Sequence, residues 1–182
     1  MLDWLLRRKA EPQPCTEGLP EMEGGPFFIR PMEAADADLL PKIFCAAIHG
    51  QAAAFYSPAQ RRAWARAAAD QAGFIASLNQ GLTIVADLDG RAGAFAQLHP
   101  DNTLRRLYVA PALGGYGIAT LLCQYLEDEA RILGVEALHA DASLAAQRFF
   151  EQMGFTVEAA YSTRRVGVAI PRLKMQKVLR KG

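Results

Sequence analysis

Long apolar runs are missing from this 182-residue chain, so the sequence predicts no helix that spans a bilayer. An excess of one charge is missing too: 20 Lys and Arg stand against 19 Asp and Glu, for a formal net charge of +1. That balance lacks the basic footprint of a nucleic-acid or anionic-membrane binder. Cysteine is scarce and odd in number, with Cys15, Cys45 and Cys123 widely separated. The spacing excludes a disulfide framework and a zinc site, no metal is expected, and a reducing cytoplasm is the compartment it fits. A nucleotide P-loop is absent, because the glycines at 114–117 are not followed by Lys-Ser or Lys-Thr. The dinucleotide fingerprint is absent as well, since the glycines are misspaced and no acidic ribose ligand follows a second strand. No internal repeat or low-complexity segment interrupts the chain.

What remains is enough for one domain with a sizeable core, since 51% of the residues are apolar. Residues 1–6 are apolar, but Arg7, Arg8 and Lys9 follow them instead of preceding them. That order is wrong for a secretory signal and reads as a short amphipathic helix. Residues 10–26, rich in Pro, Glu and Gly, read as a tether, leaving 27–182 as the folded domain.

Strand and helix periods alternate through that domain. A short strand at 27–30 precedes a helical stripe over 36–49, and Ser57-Pro58-Ala59-Gln60 opens a second helix expected to run to about 77. A hairpin over 83–98 turns at Asp89-Gly90, and a third strand covers 103–109. A helix at 117–133 closes on Gly134, a short strand covers 138–140, and a helix over 143–153 closes on Gly154. Two more strands are expected at 155–161 and 166–178. The fold class is α/β with a mixed sheet.

The most informative stretch is Val109-Ala110-Pro111-Ala112-Leu113-Gly114-Gly115-Tyr116-Gly117-Ile118-Ala119, running into Thr120, Leu121 and Leu122. A strand ends, three glycines free the backbone, and a helix opens. Such a turn aims unpaired N–H groups at one point, at the positive end of the helix dipole. It makes a pyrophosphate cradle without a cationic side chain.

This turn resembles the Gln/Arg-x-x-Gly-x-Gly/Ala motif of the GNAT superfamily of acyl-CoA N-acyltransferases. Ser143-Leu144-Ala145-Ala146-Gln147-Arg148-Phe149-Phe150-Glu151-Gln152-Met153-Gly154-Phe155 is similar to the family's Asn-x-x-Ala-x-x-Phe-Tyr-x-x-x-Gly-Phe helix. Tyr56 to Pro58, Trp64 and Asp141 to Ser143 are similar to a bacterial branch of small acetyltransferases. The resemblance covers roughly 28–178. It implies a mostly antiparallel sheet, splayed at the acyl-CoA site and flanked by about four helices. It also implies acetyl-CoA as donor, with its pantetheine arm on the backbone of Leu107, Tyr108 and Val109. The pyrophosphate would rest on the amides of Gly114, Gly115, Tyr116, Gly117, Ile118, Ala119 and Thr120. Ser143 stands where the family often has Asn, and caps its helix, touches the cofactor, or does both.

Two positions depart from the pattern. Gly114 replaces the family's Gln or Arg, and Phe150 takes the cofactor-side place of a Tyr that often protonates the departing thiolate. The strand Glu that often serves as base is also missing, with Arg105 and Arg106 in its strand instead. His99 and Asp141 are the candidate bases; each also reads as a plain surface group, at a hairpin end and at a helix N-terminus. Tyr108 is the candidate proton donor. Tyr56, Trp64 and Tyr161 are expected to wall the acceptor pocket, aromatic core being the other reading of each. The expected acceptor is a primary amine of a small molecule or peptide, with no nucleic acid, and a homodimer stays open. The rival reading is a non-catalytic acyl-CoA-binding sensor or interaction domain.

Overall fold

In the computed structural model, which describes residues 18–20 and 26–179, a seven-stranded sheet carries helices on both faces. The expected N-terminal helix over 1–6, and most of the tether after it, fall outside the described residues. In chain order the elements are β1 (Phe27–Pro31), α1 (Leu40–Gly50), α2 (Pro58–Ala65), α3 (Gln71–Leu78), β2 (Leu82–Leu88), β3 (Arg91–Leu98) and β4 (Thr103–Val109). Then follow α4 (Ile118–Ile132), β5 (Ala137–Ser143), α5 (Gln147–Gln152), β6 (Thr156–Arg165) and β7 (Val168–Val178). The strand order is β1-β2-β3-β4-β5-β7-β6, and only the β4–β5 pair is parallel.

β2 and β3 are buried along nearly their whole length, which is why they read as apolar runs. Their alternate side chains feed two cores. Ile84, Ala94, Ala96 and Leu98 pack with Leu122, Leu126 and Phe150 of α4 and α5. Val85 and Phe95 pack with Ile43, Phe44, Trp64 and Phe74 of α1 to α3 on the other face. α4 buries Ile118, Leu122, Cys123, Leu126 and Ala130, one face at helical spacing. Burial, then the charge of Glu127, pushes the Cys123 thiol up to about 12, so it is a small core residue and not a reactive thiolate. Glu127 itself is only 4% exposed and accepts from Lys177 Nζ at 2.6 Å, tying α4 to β7.

β5 runs to Ser143 and β6 to Arg165, longer than the strands expected at 138–140 and 155–161, and three helical segments also differ from the sequence expectation. The stripe over 36–49 resolves into a 3-10 turn at Ala34–Asp38 and then α1. Pro41 has no N–H to give a preceding turn, so it must lie in the first turn of α1. The long second helix is interrupted: α2 ends at Ala65, and α3 restarts behind Asp70, whose carboxylate accepts from Gly73 N at 3.0 Å. The helix over 143–153 begins as a 3-10 turn at Leu144–Ala146, capped by Ser143 Oγ accepting from Ala146 N at 3.2 Å.

Candidate functional site: a cofactor cleft and an acceptor cavity

The site is set by where two strands part. β4 and β5 pair at Thr103↔His139 and Leu104↔Ala140 and nowhere further along. On the other side of β4, Gln97 faces Arg106 while Leu98 faces Leu104, so Arg105 is the extra residue of a β-bulge. Beyond the bulge, Ala110 N donates to Gly93 O at 2.9 Å. Alternation then makes Tyr108↔Phe95 and Arg106↔Gln97 the hydrogen-bonded pairs of this antiparallel ladder. The N–H and C=O of Leu107 and Val109 therefore point away from β3, into the gap that β5 has left. They are free to pair with a ligand as a strand would.

The glycine turn closes one end of this gap. Gly117 is the N-cap of α4 and, like Gly115, has a positive φ, 78° and 86°. A Cβ built on either would meet nothing within 4 Å, so both face open space. The amides of residues 115–120 find no acceptor among the described residues, and no side chain caps the helix. Unfilled donors at a helix N-terminus, with no bulk in front of them, fit a diphosphate.

A cavity of about 480 Å³ joins the two features. It brings together Leu107, Tyr108, Val109, Gly114, Gly115, Gly117, Ile118, Ala119, Thr120 and Ser143. No charged side chain lines it. Tyr116 lies outside this lining and is 55% exposed, so only its backbone belongs to the turn. Phe150 also lies outside it; it packs edge-on against Phe149 and Phe155 and lines a narrow cleft of about 50 Å³ between β4 and β5. Ser143 both caps its turn and lines the cavity.

A second large cavity, about 470 Å³, lies on the far side of that cleft. His99, Asp141 and Tyr161 line it, and Asp141 also borders the narrow cleft. Trp64 and Tyr108 line all three spaces and stand where they meet. The Tyr108 ring lies 4.8 Å from Phe44 and 5.5 Å from Phe95, centroid to centroid, and burial raises its pKa above the ordinary tyrosine value. Burial, then the neighbouring Asp141, raises that of Tyr161. Tyr56 lines none of the three spaces and is not a pocket wall. It is 3% exposed, its hydroxyl accepting from Leu144 N and donating to Pro171 O, both at 2.8 Å. It is a strut that holds Trp64, 5.4 Å away in an edge contact, and the turn after β5.

Sequence reasoning missed the character of the second cavity. Arg105, Arg106, Arg165 and Arg172 all line it. Arg105 and Arg106 were visible as neighbours, but Arg165 and Arg172 join them only through the β6–β7 register, which sets Arg172 opposite Tyr161.

An open mixed sheet, parted beside a glycine-rich helix N-terminus, fits an acyltransferase. The chain belongs to the Acetyltransferase (GNAT) family, whose pattern matches residues 45–155. It is similar to the GCN5-related N-acetyltransferase (Aminotransferase, Class-II) of Rhodopseudomonas palustris, at 34% identity, over 88% of this chain and 100% of that one, with a TM-score of 0.83. The fold is also that of the PaiA N-acetyltransferase of Thermoplasma acidophilum in complex with coenzyme A, at 18% identity, 85% and 99% coverage and a TM-score of 0.67. It is shared again by the ribosomal-protein-S18-alanine N-acetyltransferase of Escherichia coli, at 23% identity, 84% and 94% coverage and a TM-score of 0.59. No curated protein matches the sequence. The protein is an acetyltransferase enzyme.

Proposed function

We propose that the protein transfers the acetyl group of acetyl-CoA directly to a primary amine of a small molecule or peptide. The observation that carries this reading is the unpaired backbone of Leu107 and Val109 beside the uncapped start of α4. The donor supplies an acetyl group activated as a thioester. Residues 107–109 orient its arm, and residues 115–120 hold its diphosphate. The amine nitrogen attacks the acetyl carbon, the carbon–sulfur bond breaks, and the amine's proton leaves while the thiolate gains one.

Each proton has a candidate side chain. The Val109 N–H faces the gap and meets the charge that develops on the carbonyl oxygen. Asp141, bordering both the narrow cleft and the second cavity, accepts the amine's proton. Tyr108 keeps its proton well past neutral pH and stands at the junction of the three spaces, so it replaces the donor that Phe150 cannot be. The test is release of free CoA thiol across an amine library, with calorimetric binding of acetyl-CoA measured in parallel. Thiol release that requires an amine supports the reading. Tight binding with no release from any amine overturns it in favour of a sensor.

A further inference from the structure

The second cavity carries a charge that the chemistry above does not use. Four guanidinium groups line it, together with His99, against Asp141 as its carboxylate. Among the described residues none of the four arginines forms an ion pair. Arg106 is the most telling. It lies over the Phe74 ring, 5.3 Å from the centroid, and donates to the neutral oxygens of Gln97 and, at 3.0 Å, Ser77. Gln97 is fully buried and turned by its own bonds to the carbonyls of Ser77 and Gln80, at 2.8 and 2.7 Å. The guanidinium is thus built into place without a counter-charge, and burial and then Arg105 lower its pKa. Arg172 stacks on Trp64 at 5.5 Å, donates to the Asp141 carbonyl, and leaves its Nε buried without a partner.

Arg106 and Arg172 are held partly out of water without an anion, which is costly, and the exposed Arg105 and Arg165 add like charge beside them. The donor's phosphates do not answer this charge, because the glycine turn that suits them opens into the other cavity, which has no charged lining. A ligand in the cationic cavity must therefore bring the negative charge itself. We propose that the acceptor is a small primary amine that also carries a carboxylate, as in a free α-amino acid. The carboxylate faces Arg105, Arg106, Arg165 and Arg172, in the planar geometry that arginine suits. The amine end points to Asp141 and the narrow cleft, towards the thioester. The same cations disfavour a second positive charge beside them, so they hold more of the amine in its neutral, attacking form. The bonds made and broken are unchanged: nitrogen to acetyl carbon forms, carbon to sulfur breaks, and the proton lost by the amine is balanced by the one gained at sulfur.

This inference rests on the amine-transfer reading, and the test separates the two. The full chain is assayed for free thiol with acetyl-CoA and glutamate, alanine, alaninamide, phosphoethanolamine or putrescine. Turnover of the amino acids well above alaninamide and putrescine supports the carboxylate. Turnover confined to putrescine or alaninamide overturns it while leaving amine transfer intact, and phosphoethanolamine outrunning both amino acids overturns the carboxylate assignment. No turnover with any of the five, despite acetyl-CoA binding, overturns the carboxylate assignment, and no turnover across the wider amine library overturns amine transfer as well. The exposed Arg105→Gln and Arg165→Gln variants should each raise KM for the amino acid about ten-fold, with KM for acetyl-CoA unmoved and Lys variants recovering part of the loss. An amino-acid KM unchanged in both variants overturns the assignment.

Discussion

Gly117 has no Cβ, and the space in front of it is where the amides at the start of α4 point. Gly117→Glu would put a carboxylate and its bulk into that space, so CoA affinity should fall by at least about 100-fold in calorimetry. Gly117→Ala carries only the left-handed backbone penalty of about 1 kcal/mol and should retain binding. Equal affinity in the Glu variant and the parent would refute the cradle. The base is a second single-residue question. Asp141 borders both the narrow cleft and the acceptor cavity, whereas His99 lines the cavity alone. Asp141→Asn should therefore lower kcat about 100-fold. His99→Gln should leave kcat nearly unchanged, and a kcat lowered by neither substitution removes both candidates.

At the scale of elements, α2 matters because it carries Trp64 into every part of the site. Its start is a reciprocal cap: Ser57 Oγ accepts from Gln60 N at 3.3 Å and Gln60 Oε1 accepts from Ser57 N at 2.9 Å. Gln60 Nε2 also donates to Ala169 O of β7 at 3.0 Å. Ser57→Ala should cost about 1 kcal/mol in denaturant unfolding and leave CoA affinity unchanged, since α2 supplies only Trp64 to the cofactor cavity. Lost CoA affinity at unchanged stability would contradict that division. This cap, the αL glycine at 134 and the glycine turn were legible in the sequence because each is a local arrangement of a few adjacent residues. The break at Asp70 was less so, because the alanine-rich stretch before it and the segment after it both favour helix and hid a capping residue between them. The cationic cavity was not legible at all. It depends on the bulge at Arg105 and on a hairpin register, and neither leaves a periodic trace in one strand. Tyr56 was misplaced for the same reason, since its two hydrogen-bond partners lie 88 and 115 residues away.

For the molecule as a whole, pH acts on stability through a buried cross-link between β1, the turn after it and β2. Arg30 donates to Asp36 at 2.8 and 2.9 Å and to Asp87 at 2.7 Å, and both carboxylates are 2% exposed. Burial alone would push the Asp36 carboxyl up. The Arg30 hydrogen bonds, the Glu33 amide and the Arg30 charge outweigh it and hold Asp36 below the usual carboxylate range. A depressed folded-state value stabilises the fold above the unfolded value of about 4, and that contribution is lost as pH falls through the folded one. At the other extreme, burial raises Tyr56, Tyr108 and Tyr161, so the unfolded chain ionises first and stability falls above about pH 10. Denaturant unfolding should show a plateau between these limits. Arg30→Met leaves the buried carboxylates of Asp36 and Asp87 without their cation and should cost about 3–5 kcal/mol at neutral pH. It should also reverse the acid-side slope. With the Asp36 carboxyl then raised by burial above its unfolded value, folding retains a proton that the unfolded chain loses, so the variant should grow less stable as pH rises from 4 to 7. A variant that instead keeps the parent's slope, gaining stability from pH 3 upwards, would show that Arg30 does not hold Asp36 in its charged form.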